Sequence, residues 1–128
     1  MWEVVDADVN GGDGPPLNVL TDMASILYRA EYAGIDVPAE RWHAVSDYAA
    51  KFFPNPGLAF GDVHAALAHA MAGRGDALAK IVTDAKGPAA DIVVALASGF
   101  GALAGGRWEE ALQAFTPAMG CHERIGGS

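Results

Sequence analysis

The residues best equipped for chemistry are the histidines and the carboxylates that can reach them. His64 shares a helical stripe with Phe60, Val63, Leu67 and Met71, and Asp62 stands two positions before it. An imidazole in such a place can carry a proton or hold a ligand, with Asp22 or Asp62 supplying the carboxylate that tunes it. The plainer role, and the one expected for His64, is a half-buried histidine hydrogen-bonded between helices, because a ring nitrogen on an apolar face normally satisfies a nearby carbonyl or carboxylate. His69 follows five residues later on a different face, so the i,i+4 histidine pair of helical zinc sites does not form. No metal and no cofactor are expected. Cys121 and His122 are adjacent, and neighbouring side chains do not normally point at each other, which argues against a thiolate nucleophile. Gly73-Arg74-Gly75 and Gly126-Gly127-Ser128 have no strand before them and no Lys-Ser/Thr after them, so they read as turns rather than phosphate cradles. Tyr28, Tyr32, Trp42 and Tyr48 can line a peptide groove, although aromatic residues at helical spacing more often fill a core, as expected for Trp42 and Tyr28.

The whole chain narrows the choices further. It has 128 residues, 52% of them hydrophobic and 19% charged, enough apolar material for one folded domain. Sixteen acidic against eight basic side chains give a net charge of −8, whose field repels phosphate, so nucleic acid is not an expected partner. The single cysteine cannot form an internal disulfide, which suits a reducing compartment. The longest uncharged apolar stretch, Ile92 to Gly106, is 15 residues with four glycines, short of the roughly 18–20 that span a bilayer. Met1 to Asp22 carries Glu3, Asp6, Asp8, Asp13 and Asp22 without a lysine or arginine, so no basic leader is expected and the protein is placed in the cytoplasm.

Those side chains must be held by helices. The sequence has 26 alanines against 18 β-branched residues, a balance that favours α over β. Residues 1–16, acidic and rich in glycine and proline, form a lead-in to a helical domain at 17–128. Six helices are predicted: about 18–33 with Leu20, Met23, Leu27 and Ala30 on one face; from Pro38 with Trp42, Val45, Ala49 and Phe52; about 58–72; a short one capped by Asp76 with Leu78, Ile81, Val82 and Ala85 inward; about 89–104 with Val93, Leu96, Phe100 and Leu103; and one from Arg107 with Trp108, Ala111, Leu112, Phe115 and Met119. Loops of two to five residues make neighbouring helices antiparallel.

Helix starts 40 and 31 residues apart bracket the period of helix-pair repeats. In the last pair Gly99, Gly106, Trp108, Ala111, Phe115 and Ala118 fall at the offsets where a tetratricopeptide repeat has a small residue, a turn glycine, an aromatic, an alanine, an aromatic and an alanine. The expected fold is therefore all-α, stacked antiparallel helix pairs in a tetratricopeptide-repeat-like solenoid. A closer resemblance is carried by the segment from Asp22 to Gly34, by Arg41-Trp42, by Phe60-Gly61-Asp62-Val63-His64-Ala65 and by Arg124-Ile125-Gly126-Gly127-Ser128. Together these resemble the C-terminal part of the tetratricopeptide repeat protein 38 family over nearly all of 17–128. The resemblance implies a helical-repeat solenoid with no assigned reaction. The family's long N-terminal half has no counterpart here, and its members continue into further helices.

These readings make the chain a non-enzymatic interaction module that binds a peptide or helix in a concave groove lined by the first helix of each pair, with Asp22, Tyr28, Asp62 and His64 as groove residues. The alternatives are an enzyme fragment with His64 as general acid or base beside Asp22 or Asp62, and a self-assembling element. The last helix shows Trp108, Leu112, Phe115 and Met119 and no charged cap at its open end, where Ala114, Ala118 and Ile125 are left over. A homodimer through that helix is expected.

Overall fold

The computed structural model describes residues 15–120. Among them are six α-helices, α1 (Pro16–Tyr32), α2 (Ala39–Phe52), α3 (Ala59–Met71), α4 (Gly75–Asp84), α5 (Ala90–Ala104) and α6 (Trp108–Phe115), then a 3₁₀ turn (Thr116–Ala118), and no strand. The expected all-α class is what is observed. No helix among the described residues is long and apolar enough to cross a membrane. Residues 1–14 of the lead-in, and Cys121, His122, Ile125 and the Arg124–Ser128 string, lie outside the described residues.

The apolar stripes read in the sequence are buried only in part: Phe52, expected inward on α2, is 42% exposed, and Leu96, Phe100 and Leu103 of α5 are half-buried. Leu20, Met23, Leu27 and Ala30 of α1 are buried, as are Trp42, Val45 and Ala49 of α2 and Val93 and Ala97 of α5. α3 is the hub, packing against α1, α2, α4 and α5, while α5 packs against α3, α4, α6 and the 3₁₀ turn. A helix with four neighbours must be small on most sides. α3 accordingly buries Gly61, Ala65, Ala66, Ala68 and Ala70, side chains that let the surrounding helices close in.

Three helices end in one way. In α3 the Arg74 N–H donates to the His69 carbonyl (2.9 Å) and the Gly73 N–H to that of Ala70 (3.1 Å); in α5 the Arg107 N–H donates to Ala102 (2.9 Å) and the Gly106 N–H to Leu103 (3.0 Å). α1 repeats the pattern with Ile35 to Ala30 (2.9 Å) and Gly34 to Glu31 (3.0 Å). This is the Schellman closure, and it needs a left-handed residue, which Gly73 (φ 73°) and Gly106 (φ 75°) supply without the clash a Cβ brings. The residues that follow match too, Arg74 at φ −97°, ψ 75° and Arg107 at φ −93°, ψ 77°. The turn into α4 is thus repeated 33 positions later as the turn into α6.

Three local expectations are corrected. Asp76 does not cap α4: the helix already begins at Gly75 after Arg74, which leaves Asp76 in the first turn, where its charge favours the positive helix end. Ala118 is not left over at an open end but 3% exposed, packed with Ile92 and Ala95 of α5. The broad stripe drawn on α6 divides in two. Ala111, Phe115 and Ala118 turn toward α5, whereas Trp108, Leu112 and Met119 are 67%, 62% and 66% exposed. A helix that packs mainly against α5 buries mainly one row of side chains, and the close contact with Gly99 selects the row containing Phe115.

Candidate functional site

The C-terminal ends of α1, α3 and α5 meet around an open cavity of about 410 Å³. The last turn of α1 contributes Tyr28, Glu31 and Tyr32; α3 contributes Met71; α5 contributes Leu103 and Ala104; and α6 begins at its rim with Trp108. The spacing i, i+3, i+4 puts Tyr28, Glu31 and Tyr32 on one face of α1. Glu31 is held in place by Trp42, whose indole Nε1–H donates to the carboxylate at 2.8 Å. Trp42 itself is 2% exposed, so the sequence reading that assigned it to the core agrees with its burial. Tyr32 stands out at 87% exposed. An apolar concavity edged by aromatic rings and one carboxylate can bind a side chain.

Of the four residues placed in a groove from sequence, Asp22 comes within electrostatic reach of His64. Tyr28 lines the cavity. Asp22, Asp62 and His64 do not. His64 Nδ1 pairs with the Phe60 carbonyl of its own helix (2.8 Å), and the imidazole meets the Phe60 ring edge-on at 4.7 Å, so its partner is one turn back and not on a second helix. Burial holds this imidazole below the ordinary histidine value, while the Phe60 carbonyl and the Asp22 carboxylate pull the other way. Asp62 is 5% exposed and accepts the Gly57 N–H at 2.9 Å, fixing the Pro54–Leu58 loop to the start of α3. Burial raises its carboxyl above the ordinary aspartate value, against the lowering effects of that hydrogen bond and of Lys86.

His69, placed from sequence on a different face from His64 and given no role there, proves the more deeply buried. His69 is 4% exposed and its Nδ1 lies 2.7 Å from Oγ of Ser46, itself 0% exposed, joining α3 to α2. Hydroxyl and imidazole at this distance have the geometry of a nucleophile and its base, but no substrate can reach a fully enclosed serine. The pair is a bolt between two helices. The sequence signal for Ser46 is its spacing, four residues after Trp42 and three before Ala49 on the buried side of α2.

No family model, curated protein or solved structure matches the chain. What it can bind must therefore be read from its own surfaces. A second cavity, about 300 Å³, lies where the turns into α4 and α6 sit side by side, bordered by Arg74 and Arg107 and by Gly73, Gly75, Gly101 and Gly105. Both guanidinium groups are already engaged there, Arg74 with Asp47 and Arg107 with Glu110 (2.8 Å). Among the described residues, no group of three or more His, Cys, Asp or Glu side chains is placed to hold a metal ion.

Proposed function

We propose that this chain is a non-enzymatic helical-repeat interaction module of tetratricopeptide type, working in the cytoplasm and taking a peptide or helix across the ends of α1, α3 and α5. The observation that carries the reading is the open apolar cavity with Tyr32 and Trp108 standing exposed at its edge. Large aromatic side chains left in water beside a concave apolar surface are the usual anchors of a binding site. The 33-residue recurrence of the turns at Gly73 and Gly106, and the chain of neighbours α1–α3–α5 with α2, α4 and α6 packed beside them, support a stacked-pair arrangement. The resemblance of the Asp62-Val63-His64-Ala65 string to the tetratricopeptide repeat protein 38 family points the same way. An enzymatic role finds less support, since His64 is tied to its own helix and the Ser46–His69 pair is enclosed.

Display selection of random peptides on the immobilised protein tests the reading. Enriched peptides are expected to lose about tenfold or more in affinity when Tyr32 and Trp108 are both replaced by serine, exposed changes that leave the core intact. Failure to enrich any sequence, or enrichment indifferent to these two residues, would refute it.

Self-association is a second reading, and the exposed row Trp108, Leu112 and Met119 on α6 favours it. Two copies pairing these rows about a two-fold axis would cover both. Sedimentation at micromolar concentration should then give about twice 13.2 kDa, returning to the monomer mass for Leu112→Glu. A wild-type monomer sinks this reading and leaves the peptide site standing.

A further inference from the structure

The cavity at the helix ends has a charge preference as well as a shape. Among the described residues its walls hold one carboxylate, Glu31, and no lysine, arginine or histidine. Arg29, in the last turn of α1, does not line the cavity, and Arg74 and Arg107 border the other cavity and are engaged by Asp47 and Glu110. Glu31 is not a swinging surface carboxylate, because the buried Trp42 indole holds one of its oxygens at 2.8 Å. Three helices, α1, α3 and α5, bring their C-terminal ends to this place, and the C-terminal end of a helix is the negative end of its dipole. The faces of tyrosine and tryptophan rings are negative as well, and attract a cation brought close to them.

We propose that the cavity is a cation-accepting subsite for a basic peptide, taking one lysine or arginine side chain. The alkyl stem lies on Met71 and Leu103, and the charged head meets Glu31 between the rings of Tyr28 and Trp108. This deepens the peptide-binding reading above, on which it rests, by naming the chemistry of the partner. The net charge of −8 draws such a segment toward the protein before contact. Tyr32 at the rim adds an apolar contact for a residue flanking the cation. An acidic segment would meet Glu31 and three negative helix ends, and is disfavoured at the same place.

Three capped pentapeptides, Gly-Leu-X-Leu-Gly with X as lysine, norleucine or glutamate, decide the matter when titrated into isotopically labelled full-length protein at fixed ionic strength. The lysine peptide is expected to shift the Trp108 indole and the Tyr28, Met71 and Leu103 signals, and to bind about tenfold more tightly than the glutamate peptide. Glu31→Gln keeps an oxygen for the Trp42 N–H and so keeps the fold. It should weaken the lysine peptide about fivefold and leave the norleucine peptide unchanged. Equal binding of lysine and norleucine peptides, or no effect of Glu31→Gln on the lysine peptide, overturns the charge preference while leaving a peptide groove in place. No shift of the cavity signals by the lysine peptide at millimolar concentration overturns the subsite itself, and the display selection separately judges the groove.

Discussion

Leucine in place of Gly99 is expected to cost about 3 kcal/mol of stability, the upper end of what overpacking a well-filled contact does. A β-carbon built at this position would stand 2.2 Å from Cε1 of Phe115 and 2.4 Å from its Cδ1, well inside van der Waals contact. The ring has limited freedom to withdraw, because it is packed edge-to-face against Phe100 with centroids 5.6 Å apart. Helix propensity works in the opposite direction. Leucine is better than glycine in a helix interior by somewhat under 1 kcal/mol, so the steric effect must be the larger one for the prediction to hold. Alanine, which asks the ring to move without filling the space behind it, should cost about 1 kcal/mol. Phe115→Leu combined with Gly99→Ala should recover part of that, since the two sites share one contact. Urea midpoints at constant m-value measure all three, and the leucine variant should also melt roughly 15 °C lower. A Gly99→Leu protein as stable as the wild type would mean that α5 and α6 do not cross at this residue.

Loss of the His69 imidazole is the second large expected effect. His69→Ala leaves a cavity and strands the buried Ser46 hydroxyl, and should cost about 2–3 kcal/mol. Replacing both partners by apolar residues, Ser46→Ala with His69→Leu, should cost much less, because the penalty lies in the unpaired group more than in the bond itself. The pair also makes stability depend on pH. In the folded protein burial holds His69 below its ordinary value of 6.5, with the Arg74 charge adding to the effect and Asp47 opposing it. The unfolded chain therefore takes up a proton at a higher pH than the folded one. The stabilisation is complete above about 6.5, falls as pH drops through the folded value, and levels off below it. His64, also lowered by burial, acts in the same direction. Asp62 acts in reverse: its raised value means a contribution complete below 3.8 and lost as pH rises through the folded value. Urea midpoints measured from pH 8 to pH 5 should decline, and the Ser46→Ala, His69→Leu double variant should show a shallower decline. An unchanged slope would remove His69 from the account.

Local chemistry determined where this chain forms helices and where it stops. Alanine abundance, three- and four-residue apolar spacing, and the glycines at 34, 73 and 106 place the first five helices within about two residues of their observed ends, because propensity and the demand for a left-handed closing residue act over a few neighbouring positions; the sixth, whose apolar stripe runs on to Met119, ends as an α-helix at Phe115. The small residues Gly99 and Ala111 were legible for the same reason: a side chain without bulk matters only where another helix comes close. Sidedness beyond one helix was not legible. A stripe on α6 that includes Trp108, Ala111, Leu112, Phe115 and Met119 is apolar across a wide arc, and only the position of α5 chooses which row it buries. Partners far apart in sequence were likewise decided by tertiary structure. Ser46 and His69 lie 23 residues apart, and Glu31 and Trp42 lie 11 apart. Nothing periodic links them, because a hydrogen bond across two helices depends on how those helices are rotated about their axes. The cavity is the clearest case, since Tyr28, Met71, Leu103 and Trp108 come from four helices and become neighbours only when three helix ends converge.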